Sequence, residues 1–81
     1  MKVRVHLYAL ARHLADCDTA ELEVPDDATV AVVRRQLVAR FPQLSCMMGQ
    51  LWFALDAQYA ADGQPVRPDA ELACFPPVSG G

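Results

Sequence analysis

A period-two pattern at the start of the sequence constrains the fold more than any other feature. Over residues 2–9, one set of side chains is small or aliphatic (Val3, Val5, Leu7, Ala9) and the alternating set is polar or aromatic (Lys2, Arg4, His6, Tyr8). Because successive side chains of a strand point to opposite faces, this segment predicts a half-buried β-strand. Residues 19–24 alternate in the same way, so the two segments predict an opening hairpin with a long connection.

One long helix is predicted after this hairpin. Its apolar positions recur at helical spacing and are Val30, Val33, Leu37 and Phe41. Thr29 is expected to cap the first turn through its hydroxyl, and Pro42 is expected to stop the helix. The stripe is wide enough to face a core, so we interpret it as buried and not as a binding groove.

The remaining elements are predicted to be short. Residues 10–15 favour a helical turn, and residues 43–50 are expected to form a loop whose methionines cover the edge of the core. Residues 51–55, 58–60 and 72–75 favour strands, with a turn at Asp56 and Ala57. This order is that of an α+β domain in which one main helix covers one face of a mixed sheet.

The last strand also predicts an exposed aromatic pair. If Leu72 and Cys74 face the core, Phe75 faces outward, as Tyr8 does at the end of the first strand. If the first and last strands are neighbours, the two rings form an apolar patch that partner proteins can use for docking. The alternative is a pair of incidental surface aromatic residues, which are common on folded proteins.

Size and charge exclude several classes of protein. A chain of 81 residues is expected to be one domain, and its net charge of −3 argues against nucleic-acid binding. No apolar run approaches the roughly 20 residues of a membrane helix, and the N-terminus lacks the apolar block of a signal peptide. We therefore expect a cytoplasmic protein. Three cysteines without metal-ligand spacing predict neither a disulfide framework nor a metal site.

No internal cluster of residues has the pattern of an active site. His6 and His13 fall on different elements, and neither Ser45 nor Ser79 lies in a nucleophile motif. No phosphate-binding glycine loop is present in the sequence. The chain is therefore expected not to be an enzyme by itself, and to bind no cofactor.

The end of the sequence has the properties of a group carrier. After Phe75 it continues as Pro76, Pro77, Val78, Ser79, Gly80 and Gly81. The prolines lack backbone N–H groups and favour an extended exit from the sheet, while the two glycines can enter a narrow channel. A terminal carboxylate is ionised and inert at neutral pH, so Gly81 needs activation, for example as an acyl-adenylate. We divide the chain into a domain, residues 1–75, and a flexible tail, residues 76–81.

This tail closely resembles that of the small, sulfur-carrying subunits of molybdopterin synthase, within the ubiquitin-like sulfur-carrier family. The likeness extends to the opening strand, the helix start at residues 25–33 and the hairpin at residues 53–59. It implies a β-grasp fold, in which the first and last strands run parallel in the middle of the sheet. It also implies that Gly81 is adenylated, converted to a thiocarboxylate and inserted with residues 76–80 into a larger synthase subunit.

The resemblance also implies the partners of the chain. They are an E1-like adenylating enzyme that uses ATP and Mg²⁺, a sulfur-donor protein, and the large catalytic subunit of the synthase in a heterotetramer. In the family, sulfur then passes to cyclic pyranopterin monophosphate and forms the molybdopterin dithiolene. Phe75 and Tyr8 are the expected docking residues on this chain.

Three other functions remain open from the sequence. The first is a sulfur carrier for thiazole or cysteine synthesis, although Pro76 and Pro77 favour the molybdopterin pathway. The second is a ubiquitin-like modifier whose Gly81 forms an isopeptide bond with lysine. The third is a non-covalent β-grasp binding module in which the two glycines have no role.

Overall fold

The computed structural model describes residues 1–76, which contain five strands, two α-helices and one 3₁₀ segment. In chain order they are β1 (Lys2–Leu7), α1 (Ala9–Ala15), β2 (Thr19–Glu23), α2 (Val30–Arg40), the 3₁₀ segment (Pro42–Gln50), β3 (Trp52–Leu55), β4 (Gln58–Tyr59) and β5 (Glu71–Phe75). The predicted α+β order is confirmed. Over this part of the chain, no helix has the length and apolar character that a membrane span requires.

The strands form one mixed sheet in the order β2-β1-β5-β3-β4. β1 and β5 are parallel neighbours at its centre, while the other pairings are antiparallel. Parallel strands cannot be joined by a tight turn, so the chain needs a crossover, and α2 lies within it. This is the β-grasp arrangement that the family resemblance implies.

The core lies between α2 and one face of the sheet. Val30, Val33 and Leu37 are fully buried among the inward residues of the strands, as the helical stripe predicts. Phe41 follows the helix and is only partly buried. Each large side chain removed from water here contributes about 1.5–3 kcal/mol, which an 81-residue chain needs because small domains have little stability to spare.

The short helix α1 closes one end of this core. It confirms the helical turn predicted over residues 10–15 and begins one residue earlier. Ala11 and Ala15 are buried, whereas Leu10 is exposed and Leu14 is only partly buried. The buried positions are small alanines, so the helix lies close against the rest of the core.

The start of α2 differs from the prediction in one contact. Thr29 occupies the N-cap position with extended backbone, but its side chain makes no capping hydrogen bond. Instead, the backbone N–H groups of Val30 and Ala31 donate to the carbonyl oxygens of Gln64 and Asp62, at 2.9 and 3.0 Å. The free N–H groups of the first turn are thus satisfied by a distant loop, which sequence-local rules do not consider.

The prediction of a loop at residues 43–50 is wrong, because the chain forms a 3₁₀ segment with a kink at Met47. Leu44 and Met47 are three residues apart, which is one turn of a 3₁₀ helix, and both are buried. Arg34 holds the segment in place by donating from Nη1 to the carbonyl oxygens of Met48 and Leu51, at 2.6 and 2.8 Å. The expectation that the methionines cover the edge of the core is confirmed for Met47.

The predicted turn between β3 and β4 is confirmed at Asp56 and Ala57. Both residues have positive φ, 53° and 66°, as the two central residues of a type I′ hairpin turn require. Arg67 donates from Nη2 to Asp56 Oδ1 at 3.0 Å and connects the turn to the loop before β5. The tight turn fixes the register of β3 and β4, and with it the position of Tyr59.

Cys74 lies on the inward side of β5 and is completely buried. Burial raises the pKa of its thiol to about 12, because the thiolate would lose its hydration. In the unfolded chain this thiol has its ordinary pKa, so it loses its proton at a lower pH than in the native state. Between the two pKa values the native state therefore binds more protons than the unfolded state. Stability therefore decreases with rising pH in this interval.

We expect the free energy of unfolding to fall between about pH 9 and pH 12 by up to about 1.4 kcal/mol per pH unit from this thiol. Urea unfolding of the wild type and of Cys74→Ala at several pH values measures the contribution, because the variant lacks the titrating group. The free energy of unfolding of the wild type, relative to that of Cys74→Ala, should decrease as the pH rises. A constant difference over the whole interval would contradict the assignment.

Candidate functional site

The candidate site is the face of the sheet opposite α2. Along β1 and β5, buried residues alternate with exposed or half-buried ones, and the helices pack on the buried side. None of residues 1–76 forms a second layer over the other side, which we call the outer face. The outer face therefore presents the polar and aromatic side chains of all five strands to solvent.

Tyr8 and Phe75 meet on the outer face, as their strand positions predict. Their ring centroids are 5.5 Å apart and the ring planes differ by 24°, which is a stacked arrangement. The backbone N–H of Tyr8 donates to the carbonyl oxygen of Cys74 at 3.1 Å and extends the parallel ladder to this point. The two rings thus lie where β5 ends.

Two further aromatic residues, missed in the sequence, extend this pair. Trp52 is the register partner of Phe75, and Tyr59 packs edge-on to both, with centroid distances of 5.2 Å to Trp52 and 6.3 Å to Phe75. Tyr8, Trp52 and Tyr59 are 47%, 51% and 70% exposed. We call these four residues, Tyr8, Trp52, Tyr59 and Phe75, the aromatic patch. The alternation of Trp52 with the buried Phe53 is the signal that predicts its outward position.

An unusual backbone conformation positions Tyr8. Ala9 follows it with a φ of 54°, in the left-handed region that non-glycine residues rarely adopt. This conformation lets the chain turn from the end of β1 into α1 while Tyr8 stays on the outer face. An alanine in this region costs roughly 1–2 kcal/mol, so the surrounding packing must stabilise the turn.

Polar side chains occupy the other half of the outer face. Arg4 lies between two carboxylates, with its nitrogens 3.6 Å from Glu21 Oε2 and 3.9 Å from Glu71 Oε1. We call Glu21, Arg4 and Glu71 the ionic row. His6 lies beside it, with Nε2 2.8 Å from Glu71 Oε1 and Nδ1 3.3 Å from the Thr19 hydroxyl. An imidazole that carries its proton on Nε2 satisfies both contacts.

The hydrogen bond from His6 lowers the pKa of the Glu71 carboxyl group, and the positive charge of Arg4 acts in the same direction. Partial loss of hydration opposes this shift but does not reverse it. Glu71 is therefore a carboxylate at neutral pH. The sequence predicted that Arg4 and His6 point outward, but it did not indicate that they meet Glu71.

A groove separates the ionic row from the aromatic patch. One cross-strand row of residues forms it, in the order His6, Ala73, Ala54 and Tyr59. The two alanines are its floor, Glu71 and the turn at Asp56 border one side, and Phe75 borders the other. The open volume is about 480 Å³.

The tail begins at this site. β5 ends at Phe75, and Pro76, the last residue that the structure describes, is half-buried. A proline has no N–H to donate, so it ends the strand where the sequence predicts. The other predicted tail residues, Pro77, Val78, Ser79, Gly80 and Gly81, lie outside the described residues.

The remaining chemically versatile residues do not converge. His13 lies on α1, Cys46 is exposed on the 3₁₀ segment, Cys74 is buried, and Cys17 is half-buried; all three thiols are free. Within residues 1–76, no group of three or more His, Cys, Asp or Glu side chains has a geometry that could hold a metal ion. Among these residues, the outer face offers aromatic contacts, ion pairs and the hydrogen bonds of His6.

Comparison with known proteins gives concordant matches. The model of the ThiS family matches residues 5–81. The chain is 33% identical over 81 residues to the molybdopterin synthase sulfur carrier subunit of Arabidopsis thaliana, and the match covers all of this chain and 84% of that protein. Identity to the protein of the same name from Chlamydomonas reinhardtii is 30% over 83 residues, with both chains covered completely.

A solved structure agrees with these matches. The crystal structure of small archaeal modifier protein 1 from H. volcanii has a TM-score of 0.86 and 28% identity, covering 95% of this chain and 98% of that one. The fold, the family model and the relatives thus all indicate the same group of ubiquitin-like carriers. Because the family model and both relatives extend over nearly the whole sequence, the chain belongs to the ThiS family.

Proposed function

We propose that this chain is the sulfur-carrier subunit of molybdopterin synthase and that Gly81 carries the sulfur. The observation that carries the proposal is the full-length similarity to two proteins of that name. The match of the family model runs through Gly81, and the outer face offers a docking surface where β5 leads into the tail. The chain supplies the reacting group, and its partners supply the catalysis.

The proposed reaction has three steps. The Gly81 carboxylate attacks the α-phosphorus of ATP·Mg²⁺ on an E1-like adenylating enzyme, forming an acyl-adenylate and releasing pyrophosphate. A persulfide on a sulfur-donor protein then attacks the acyl carbon and displaces AMP, which gives an acyl disulfide. Attack by a second thiol on the donor-side sulfur releases the C-terminal thiocarboxylate and leaves a disulfide behind. In the large synthase subunit, two such thiocarboxylates each transfer one sulfur atom to cyclic pyranopterin monophosphate, which builds the dithiolene of molybdopterin and, with water, restores the Gly81 carboxylate.

The described residues support this role by fixing the origin of the tail. β5 is paired on both sides, with β1 and with β3, so the strand that leads into the tail is held in the middle of the sheet. Phe75 packs against Tyr8 and Tyr59. We propose that the aromatic patch binds the large subunit, while residues 76–81 enter its active site.

The proposal includes where the chain works and what it binds. The chain itself binds no cofactor, and the ATP and Mg²⁺ of the first step belong to the adenylating enzyme. The role implies a cytoplasmic protein and, with a dimeric large subunit, a heterotetramer. Residues 1–75 act as the folded domain and residues 76–81 as the tail.

A protein modifier is the second candidate function, and one observation favours it. The solved structure with 28% identity and a TM-score of 0.86 is that of a small archaeal modifier protein. A modifier would share the adenylation step but end with an isopeptide bond between Gly81 and a lysine of another protein. Lysine-linked conjugates of this chain in cells would favour this candidate over the synthase subunit.

Deletion of Gly81, or extension of the chain by one alanine after it, is expected to abolish sulfur transfer, because the reacting carbonyl is lost or displaced. The fold should stay intact, because the elements of residues 1–76 do not include Gly81 and β5 ends at Phe75. The assay is conversion of cyclic pyranopterin monophosphate by the reconstituted synthase, with circular dichroism as the control for folding. An extended chain that transfers sulfur without being trimmed would contradict the role of Gly81.

Replacement of Phe75 by Ala is expected to weaken binding to the large subunit by at least about tenfold, because central aromatic residues commonly contribute 2 kcal/mol or more to an interface. Titration calorimetry measures the dissociation constant. Leu10→Ala is the matched control, since Leu10 is an exposed apolar residue outside the aromatic patch. Equal affinities of the wild type and Phe75→Ala for the large subunit would contradict the docking role of the aromatic patch.

A further inference from the structure

The groove of the outer face has an unbalanced charge. In the ionic row, the single positive charge of Arg4 lies beside the two negative charges of Glu21 and Glu71, which leaves a net charge of −1 when the His6 imidazole is neutral. The other carboxylate at the groove, Asp56, is paired with Arg67 at 3.0 Å. No lysine or arginine is among the described residues that line the groove.

One oxygen of Glu71 remains available for a ligand. The contacts that the structure records from His6 and Arg4 both reach Oε1, so Oε2 can still accept hydrogen bonds. His6 is itself held by Thr19, and its short hydrogen bond restrains the Glu71 carboxylate at the side of the groove. The groove therefore contains an ionised, positioned acceptor.

The shape of the groove selects the type of side chain that fits. Ala54 and Ala73 give a flat apolar floor, and Tyr59 and Phe75 border it with aromatic rings. A long side chain with an apolar stem and a cationic end would lie on the alanines, face the rings and reach Glu71. Arginine fits better than lysine, because its planar guanidinium stacks on rings, is less strongly hydrated than an ammonium group and can donate an N–H to the available Oε2 of Glu71.

We propose that the groove receives an arginine side chain of the protein that docks on the aromatic patch, with Glu71 as its ion-pair partner. The inference rests on the proposed function, because it names the chemistry that the docking protein presents. His6 is a positioning residue in this arrangement, since it acts on the arginine only through Glu71. An aliphatic side chain would cover the Glu71 carboxylate without pairing it, and an acidic one would be repelled.

The first experiment tests the groove without any partner. Nα-acetyl-arginine amide is titrated into the full chain labelled with ¹⁵N, with the citrulline analogue as a neutral control of nearly the same shape. We expect weak binding, half-saturated at roughly 10–100 mM, that shifts the amides of Ala54 and Ala73. Equal shifts with citrulline, or shifts away from the groove, would overturn the proposal whether or not the chain serves the synthase.

The second experiment uses the purified large subunit. Glu71→Gln should weaken binding by about tenfold and reduce its salt dependence, because the ion pair is lost. Glu23→Gln is the matched control, since it removes the same charge from an exposed position on β2 outside the groove. Equal effects of the two variants would mean that only net charge matters and would refute a specific pair.

Variants of His6 test positioning separately. His6→Gln keeps a donor for Glu71 and should bind within about twofold of the wild type, whereas His6→Leu should lose about threefold to tenfold. Equal binding by these two variants would remove the role of His6. If the wild type fails to bind the large subunit, the proposed function is contradicted. The arginine titration needs no partner, so it still tests whether the groove binds an arginine side chain.

Discussion

The structure depends on the parallel pairing of β1 and β5 in the centre of the sheet. This pairing forces the chain to cross over through α2, which covers one face and leaves the other open. It also brings the end of β1 beside the end of β5, where the N–H of Tyr8 donates to the carbonyl oxygen of Cys74. The stacking of Tyr8 on Phe75 and the origin of the tail are therefore consequences of one strand pairing.

The outer face shows how a small domain can combine stability with recognition. The buried apolar core lies on the inward side of the sheet and includes the fully buried Cys74. The outward residues of the same strands lie outside this core and form two distinct surfaces, the aromatic patch and the ionic row. The alanine groove between them has Glu71 on one side and Phe75 on the other, which is the basis of our inference about an arginine side chain.

Much of the fold could be predicted because its signals are local. The alternation of β1 predicts which residues point outward, and with the parallel pairing it predicts that Tyr8 and Phe75 meet. The features that sequence analysis missed depend on tertiary contacts. The cap of α2 comes from carbonyl groups of residues 62 and 64, and Arg34 fastens the 3₁₀ segment where a loop was predicted.

The candidate site shows the same limit. His6 and Glu71 are 65 residues apart in sequence, and only the register of β1 and β5 joins them. Trp52 and Tyr59 lie on β3 and the two-residue β4, strands too short for their alternation to establish which side chains meet. The chemistry of Gly81, in contrast, is predicted from the tail residues and the family alone.

The most direct test of the central claim is the intact mass of the purified chain after incubation with ATP·Mg²⁺, its adenylating enzyme and a sulfur donor. A sulfur carrier gains the mass difference between sulfur and oxygen, and tandem mass spectrometry places this change on Gly81. An unchanged mass with an adenylating enzyme that is demonstrably active on this chain would contradict the account. In that case the modifier, which shares the adenylation step, would be the better interpretation of the fold.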